Sequence, residues 1–292
     1  MKELPDPFVF KAHESHIIDL AFTPDSQFLL SAGMDNVIHQ WVIGGWSLER
    51  TYSGHEKSVN AINLTSDGSR FVTASSDRNL LLWEMGNSEP SGRLSTKGNS
   101  ARLSNKDSFI AAVEGPHVTL MDFTRREVLK RFHPFEKRTT AIAFSPDESM
   151  LVVGGQGDEI RFYELPSCDQ IREISQAHEG FVLSIGFSPD GRQMASTGYE
   201  GKLRLWNPGK GDLIGEVPLE NQGIQSLAFS PDGQIIAVAS DHRLTMVDSD
   251  SMGIIQKIDL KPKGVYCLAF SPDGKWLACG SADKRIRIWE WD

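Results

Sequence analysis

Cysteine is scarce: Cys168, Cys267 and Cys279 are the only thiols in 292 residues. They are too few and too scattered for a disulfide framework or a zinc site, and they suit a reducing compartment. No apolar run approaches the roughly 18 residues of a membrane-spanning helix. The opening MKELPDPFVFKAHE has no long apolar stretch of the signal-peptide kind, so no export route and a cytoplasmic location are expected. Positive charge is in deficit. Thirty Lys and Arg against 39 Asp and Glu leave a net charge of −9, which disfavours general binding to a phosphate backbone. Helical periodicity is missing as well, since no segment sustains it over three turns. What is present is a 39% apolar content, enough for a large core and too much for a disordered chain. The 26 glycines and 14 prolines point to many turns. Length alone, at about 150 residues per domain, suggests about two domains.

A repeat overrides that first impression. Phe-Ser-Pro-Asp occurs at Phe144, Phe187, Phe229 and Phe270, with relatives at Phe22 and Leu64 and a weak copy at Leu103. These seven anchors are spaced by 42, 39, 41, 43, 42 and 41 residues. A second series follows each anchor by 18 or 19 residues: Trp41, Trp83, Met121, Tyr163, Trp206, Val247 and Trp289. Two series keeping one period in register are a true repeat, of the length of a four-stranded propeller blade. Within each copy, strand-sized apolar runs such as Val265–Phe270 and Arg285–Trp289 are separated by turns. Pro231–Gly233 and Pro272–Gly274 are turns with a mechanism: Pro presets φ and Gly accepts φ > 0. An all-β fold follows.

The pattern Val-x-x-Leu-x-Phe-Ser-Pro-Asp-Gly, then Ser-Ala-Asp-x-x-Ile-x-Ile-Trp, resembles the WD-repeat (WD40) β-propeller family, from about residue 8 to 292. The resemblance implies one seven-bladed β-propeller domain over residues 1–292, built of four-stranded antiparallel blades. It also implies ring closure by the N-terminal strand: Phe8–Lys11 matches the outer-strand segment Glu49–Ser53 and would complete the last blade. Repeat 3 departs from the pattern, with neither Phe-Ser-Pro-Asp nor Trp. Repeats 4 and 6 carry Tyr163 and Val247 where the others have Trp. The polar stretch Gly86–Gly98 falls where an outer strand and loop belong, and it is expected to be a long, mobile connection.

Several constellations look chemical. His13, Ser31 and Asp35 stand at steps of 18 and 4; His55, Thr73 and Asp77 repeat the steps, as do His178, Ser196 and Glu200. A nucleophilic triad has these residue types. Three copies, each leading six residues on to Trp41, Trp83 or Trp206, argue for structure instead. The family resemblance implies a tetrad in which the indole bonds a hydroxyl, the hydroxyl a His, and the His an acid. Repeats 6 and 7 keep only Asp241 and Asp283, and Glu200 is longer than Asp by a methylene. His13 and His16 lie three apart in a loop, not one helical turn apart as a zinc protease requires. Gly154–Gly157 lacks the Lys-Ser/Thr and following helix of a phosphate loop. Asn63-Leu64-Thr65 is a sequon by spelling only. The basic run Arg125, Arg126, Lys130, Arg131, Lys137 and Arg138 is expected to be a solvated outer strand of blade 3. No catalytic residue, cofactor or metal is expected.

The resemblance places the loops leading into each innermost strand, and the turns before each acid, on one face around the channel. The turns give Met34, Ser76, Glu114, Gln156, Tyr199, Ser240 and Ala282; the loops give His16, Lys57, Arg138, Phe181, Gln222 and Lys263. Arg138, Gln156, Phe181 and Tyr199, from adjacent repeats 4 and 5, are the expected centre of a partner-binding surface, with His16 and Met34 secondary. The expected function is a non-catalytic scaffold for protein or peptide partners, as a monomer or within a larger complex. Nucleic acid and membrane are not expected partners. The alternative is a propeller enzyme or ligand-binding protein with its site at the channel mouth.

Overall fold

The computed structural model describes residues 4–219, 226–260 and 264–291. Among these, 28 strands form seven four-stranded antiparallel sheets and no helix. Blade 1 runs outward through Ile17–Phe22, Phe28–Gly33, Val37–Val42 and Leu48–Ser53, and blades 2 to 6 repeat that order. Blade 7 contributes Val265–Phe270, Trp276–Ser281 and Arg285–Glu290; its fourth strand is Phe8–Lys11, with Phe8 opposite Ile288 and Lys11 opposite Arg285. The N-terminal strand therefore closes the ring.

The repeated Phe-Ser-Pro-Asp is a self-capping turn. In blade 4, Ser145 Oγ donates to Asp147 Oδ1 at 2.6 Å and accepts the Met150 N–H at 3.0 Å, while Ser149 N–H donates to the same Asp147 oxygen at 3.0 Å. Blades 5, 6 and 7 repeat it through Ser188, Ser230 and Ser271. A hydroxyl and a carboxylate two residues apart thus satisfy the backbone groups that a tight connection leaves open.

The core lies between blades. The seam of blades 7 and 1, for example, buries Ile17, Leu20, Leu29, Trp41, Ala278, Ile286 and Ile288 together. Close approach there demands Gly280: a Cβ on it would stand 2.5 Å from Ile17 Cγ2. The outer edges are the remaining exposed ladders. In blades 1 to 6 the outermost pairing slips at a bulge or irregularity, which blunts an edge against further strand addition.

Two expectations need correction. Gly86–Gly98 is not a mobile connection throughout, because Gly92–Lys97 is the outer strand of blade 2. Leu94, 3% exposed, anchors it in the core shared with blade 3. The basic run is only partly the outer strand expected: Lys130 and Arg131 lie in Glu127–Phe132, the outer strand of blade 3, whereas Arg125 and Arg126 precede it in a turn and Lys137 and Arg138 belong to the loop that leads into blade 4.

Candidate functional site

In blade 2, Trp83 Nε1–H donates to Thr73 Oγ1 at 2.8 Å, Thr73 Oγ1 lies 2.7 Å from His55 Nε2, and His55 Nδ1 lies 2.8 Å from Asp77 Oδ2. A carboxylate can only accept, so Nδ1 carries the imidazole proton and Nε2 accepts from the hydroxyl. Asp77 also accepts backbone N–H groups of Glu56 and Asn79, at 3.0 and 2.8 Å. Blade 1 has the same chain through Trp41, Ser31, His13 and Asp35, and blade 5 through Trp206, Ser196, His178 and Glu200. The longer Glu200 fits less well. Its Oε1 takes His178 at 2.7 Å and Arg204 at 3.5 Å, while its buried Oε2 has no hydrogen-bond partner.

Burial lowers the pKa of His55 and of His178 and outweighs the attraction of their acids. Burial opposes ionisation of Asp35, yet the His13 hydrogen bond, the His13 charge and the Glu14 N–H together bring it down to about 2. His39, absent from the sequence argument, packs on His13 with ring centroids 4.5 Å apart; burial and His13 push it down to about 4. His13, Asp35 and His39 offer ligand atoms within 4.8 Å of one another. All three are committed, however: His13 to Ser31 and Asp35, and His39 Nδ1 to Thr51 Oγ1 at 2.9 Å.

Blade 7 replaces the tetrad by another network. Cys279 holds the hydroxyl position, so the buried Trp289 Nε1 has no hydrogen-bond partner. Arg287 instead donates to Asp283 Oδ2 at 2.7 Å and Ser281 Oγ at 2.8 Å. This Arg stands four residues past the acid, as Arg204 does in blade 5, and that offset was the signal available in the sequence.

The leading loops and pre-acid turns meet in backbone pairs. Met34 N–H donates to His16 O, Gln156 N–H to Arg138 O, and Tyr199 N–H to Phe181 O, at 2.8, 2.9 and 2.9 Å. In blades 2 and 7 the paired loop residues are Ser58 and Gly264, one past the expected Lys57 and Lys263. Lys263 and Gln222 lie outside the described residues. Phe181 and Tyr199 are 40% and 51% exposed, with ring centroids 5.9 Å apart. Met34 is 46% exposed, while His16 is half-buried and stacks near Tyr266 at 5.8 Å. Arg138 is exposed and Gln156 half-buried. Blades 4 and 5 adjoin here, with Thr140 Oγ1 donating to the Val182 carbonyl at 2.5 Å.

Two cavities open among these elements. A channel cavity of about 400 Å³ is lined by innermost strands of all seven blades. Asp19 is the one carboxylate among its described lining residues. Burial raises the Asp19 pKa, Arg102 lies 3.8 Å away, and Leu20 and Ile62 N–H groups donate to the carboxylate. The second cavity, about 650 Å³, lies between the loop 133–138 and the turn at Gln156.

A sequence profile described as "WD domain, G-beta repeat" matches residues 7–42, 46–84, 169–207, 212–248 and 255–290, more than half of the chain. The chain belongs to the WD-repeat family. The unmatched stretch 85–168 holds the outer strand of blade 2, all of blade 3 and the three inner strands of blade 4. Among WD-repeat relatives, "Serine-threonine kinase receptor-associated protein" of Gallus gallus is 25% identical over 215 residues, 72% of this chain and 60% of the relative. "Target of rapamycin complex subunit LST8" of Mus musculus is 22% identical over 231 residues, covering 74% and 70%. "Apoptotic protease-activating factor 1" of Rattus norvegicus is 24% identical over 274 residues, covering 87% and 20%. The chain spans about 60% of the length of the first curated relatives that it matches. The names of the first two describe proteins that associate with others. Among the described residues, no helix is long and apolar enough to cross a membrane.

Proposed function

We propose that this WD-repeat chain is a non-catalytic scaffold, acting as one domain, that holds protein or peptide partners on the face bearing Arg138, Gln156, Phe181 and Tyr199. The observation that carries the reading is the exposed Phe181–Tyr199 ring pair beside blade 4. Aromatic rings bring apolar area with few rotamers to freeze, and a guanidinium brings a planar donor fork. His16 and Met34, further round the ring, form a secondary contact. Membership of a larger complex is consistent with the names of its relatives. An enzyme at the channel mouth is less well supported: Asp19 has no second carboxylate and no His beside it among the described lining residues, and the three His–hydroxyl–acid sets are committed within their blades.

The test begins with partners captured by the wild-type chain from its host and identified by mass spectrometry. Phe181→Ala and Tyr199→Ala should each weaken the captured partner by more than about 1 kcal/mol in calorimetry. Two folded variants with wild-type affinity would move the site elsewhere, with the rim run from Arg125 to Arg138 tested next.

A further inference from the structure

Blade 4 departs from blades 1, 2 and 5 in a way that hollows out this face. In those blades the step of 22 residues from His to acid fills the corner between loop and turn with an imidazole bonded to a carboxylate. In blade 4 the same step runs from Phe135 to Gly157. A benzyl ring replaces the imidazole, and the carboxylate has no counterpart. A Cβ on Gly157 would meet only Glu159 Oε1, at 3.8 Å. The cavity of about 650 Å³ is this vacated corner, and Phe135, Pro134, Gln156, Gly157 and Arg161 line it.

Its inner wall sets the Phe135 ring and Pro134 beside an ion-paired cluster. The Arg161 guanidinium lies 5.0 Å from the Phe135 ring centroid, with Glu159 at 2.6 Å and Glu173 at 3.0 Å holding its charge. A third contact, to the Pro134 carbonyl, uses Nη1. The mouth has the opposite character. Lys137, which lines it with exposed His133, and Arg138, the next residue along the loop, are exposed and make no ion pair among the described residues. Glu136 is the one exposed acid within this loop. Unpaired cations beside a hole floored by Phe135 and Pro134, with the Arg161 charge already taken up by acids, favour an occupant with an apolar tip and an acidic neighbour.

We propose that this cavity is the anchor pocket of the binding face: it takes an aromatic or large aliphatic side chain from an extended partner segment, whose adjacent Asp or Glu pairs with Lys137 or Arg138. This rests on the scaffold reading and deepens it by naming the occupant. Phe181 and Tyr199, on the next blade, would cover the segment as it continues.

The experiment uses three short fluorescein-labelled peptides in one Gly/Ser context, differing only in a central Glu-Trp, Lys-Trp or Glu-Ala, read by fluorescence anisotropy. Glu-Trp should bind at least about tenfold tighter than the other two. Gly157→Leu should abolish that preference, because it fills the pocket. It should fold normally, since Gly157 is outside the left-handed region and its Cβ direction is open. Lys137→Glu with Arg138→Glu changes exposed residues only and should shift the preference from Glu-Trp towards Lys-Trp. Equal affinities for the three peptides, no binding at all, or unchanged Glu-Trp binding by Gly157→Leu would overturn the proposal. The two readings fail separately. If Phe181→Ala and Tyr199→Ala weaken the captured partner while Gly157→Leu leaves Glu-Trp binding intact, the face stands and the pocket falls. If only Gly157→Leu acts, the pocket stands and the centre of the face shifts to blade 4.

Discussion

His55→Ala isolates what one tetrad contributes. The imidazole is buried and bridges Thr73 to Asp77, with both partners within 2.8 Å. Its removal has unequal effects on the two. Asp77 keeps the Glu56 and Asn79 N–H groups, so its carboxylate stays solvated by the backbone. Thr73, fully buried, still accepts from Trp83 but loses the acceptor for its own proton. One buried donor left without a partner costs about 1–3 kcal/mol. The acid contributes little to this, so the expected loss is about 2 kcal/mol. Urea unfolding at about pH 8, where an unfolded His is neutral, should show a lower midpoint with an unchanged slope. Thermal unfolding should fall by about 3 °C. A double-mutant cycle with Asp77→Ala should return a small coupling, because the backbone and not His55 holds most of that carboxylate. A midpoint equal to wild type would show that the Trp83–Thr73–His55 chain adds nothing to stability; a coupling near the full loss would refute the division between Thr73 and Asp77.

Two further perturbations follow from the same geometry. The folded chain holds His39 neutral down to about 4, while an unfolded His takes a proton below about 6.5. The unfolded state then binds more protons, so stability present above pH 6.5 is lost as pH falls towards 4. His39→Gln should flatten part of that loss, with His55 and His178 supplying the rest; pH-dependent unfolding identical to wild type would exclude the assignment. Deleting residues 1–11 should uncover the edge of Arg285–Glu290 and remove Phe10 from the Trp41 ring, 4.8 Å away. Light scattering should then report association, whereas a monomer with the wild-type melting temperature would mean that Phe8–Lys11 is dispensable for closure.

The fold was legible because a propeller writes its period into the chain. Each Phe-Ser-Pro-Asp is a turn that satisfies its own backbone, so the motif works locally and recurs at every blade. The spacing of His55, Thr73, Asp77 and Trp83 is likewise set by strand lengths within a single sheet, so the offsets showed a repeated structural set and the resemblance to the family supplied its hydrogen-bonded order. Gly92–Lys97 was misread because its signal is one apolar residue, Leu94, whose burial comes from blade 3 and not from its own neighbours in sequence.

The sequence by itself therefore determined the blades and their number, since these depend on local turns and on pairing between consecutive strands; the closing strand and the polar chains came from the resemblance to the WD-repeat family, because the first of these pairs the two ends of the chain. Tertiary structure alone decided the rest. The pocket at Gly157 is a space left by missing atoms, bounded by a loop from one side and a turn from the other. The contact of His39 with His13, the place of Asp19 in the channel, and the junction of Val182 with Thr140 of blade 4 arise where separate strands or blades are brought together. A residue's offset in its repeat specifies its place in a blade, but charge balance, desolvation and free volume are set by what the neighbouring strand or blade puts against it.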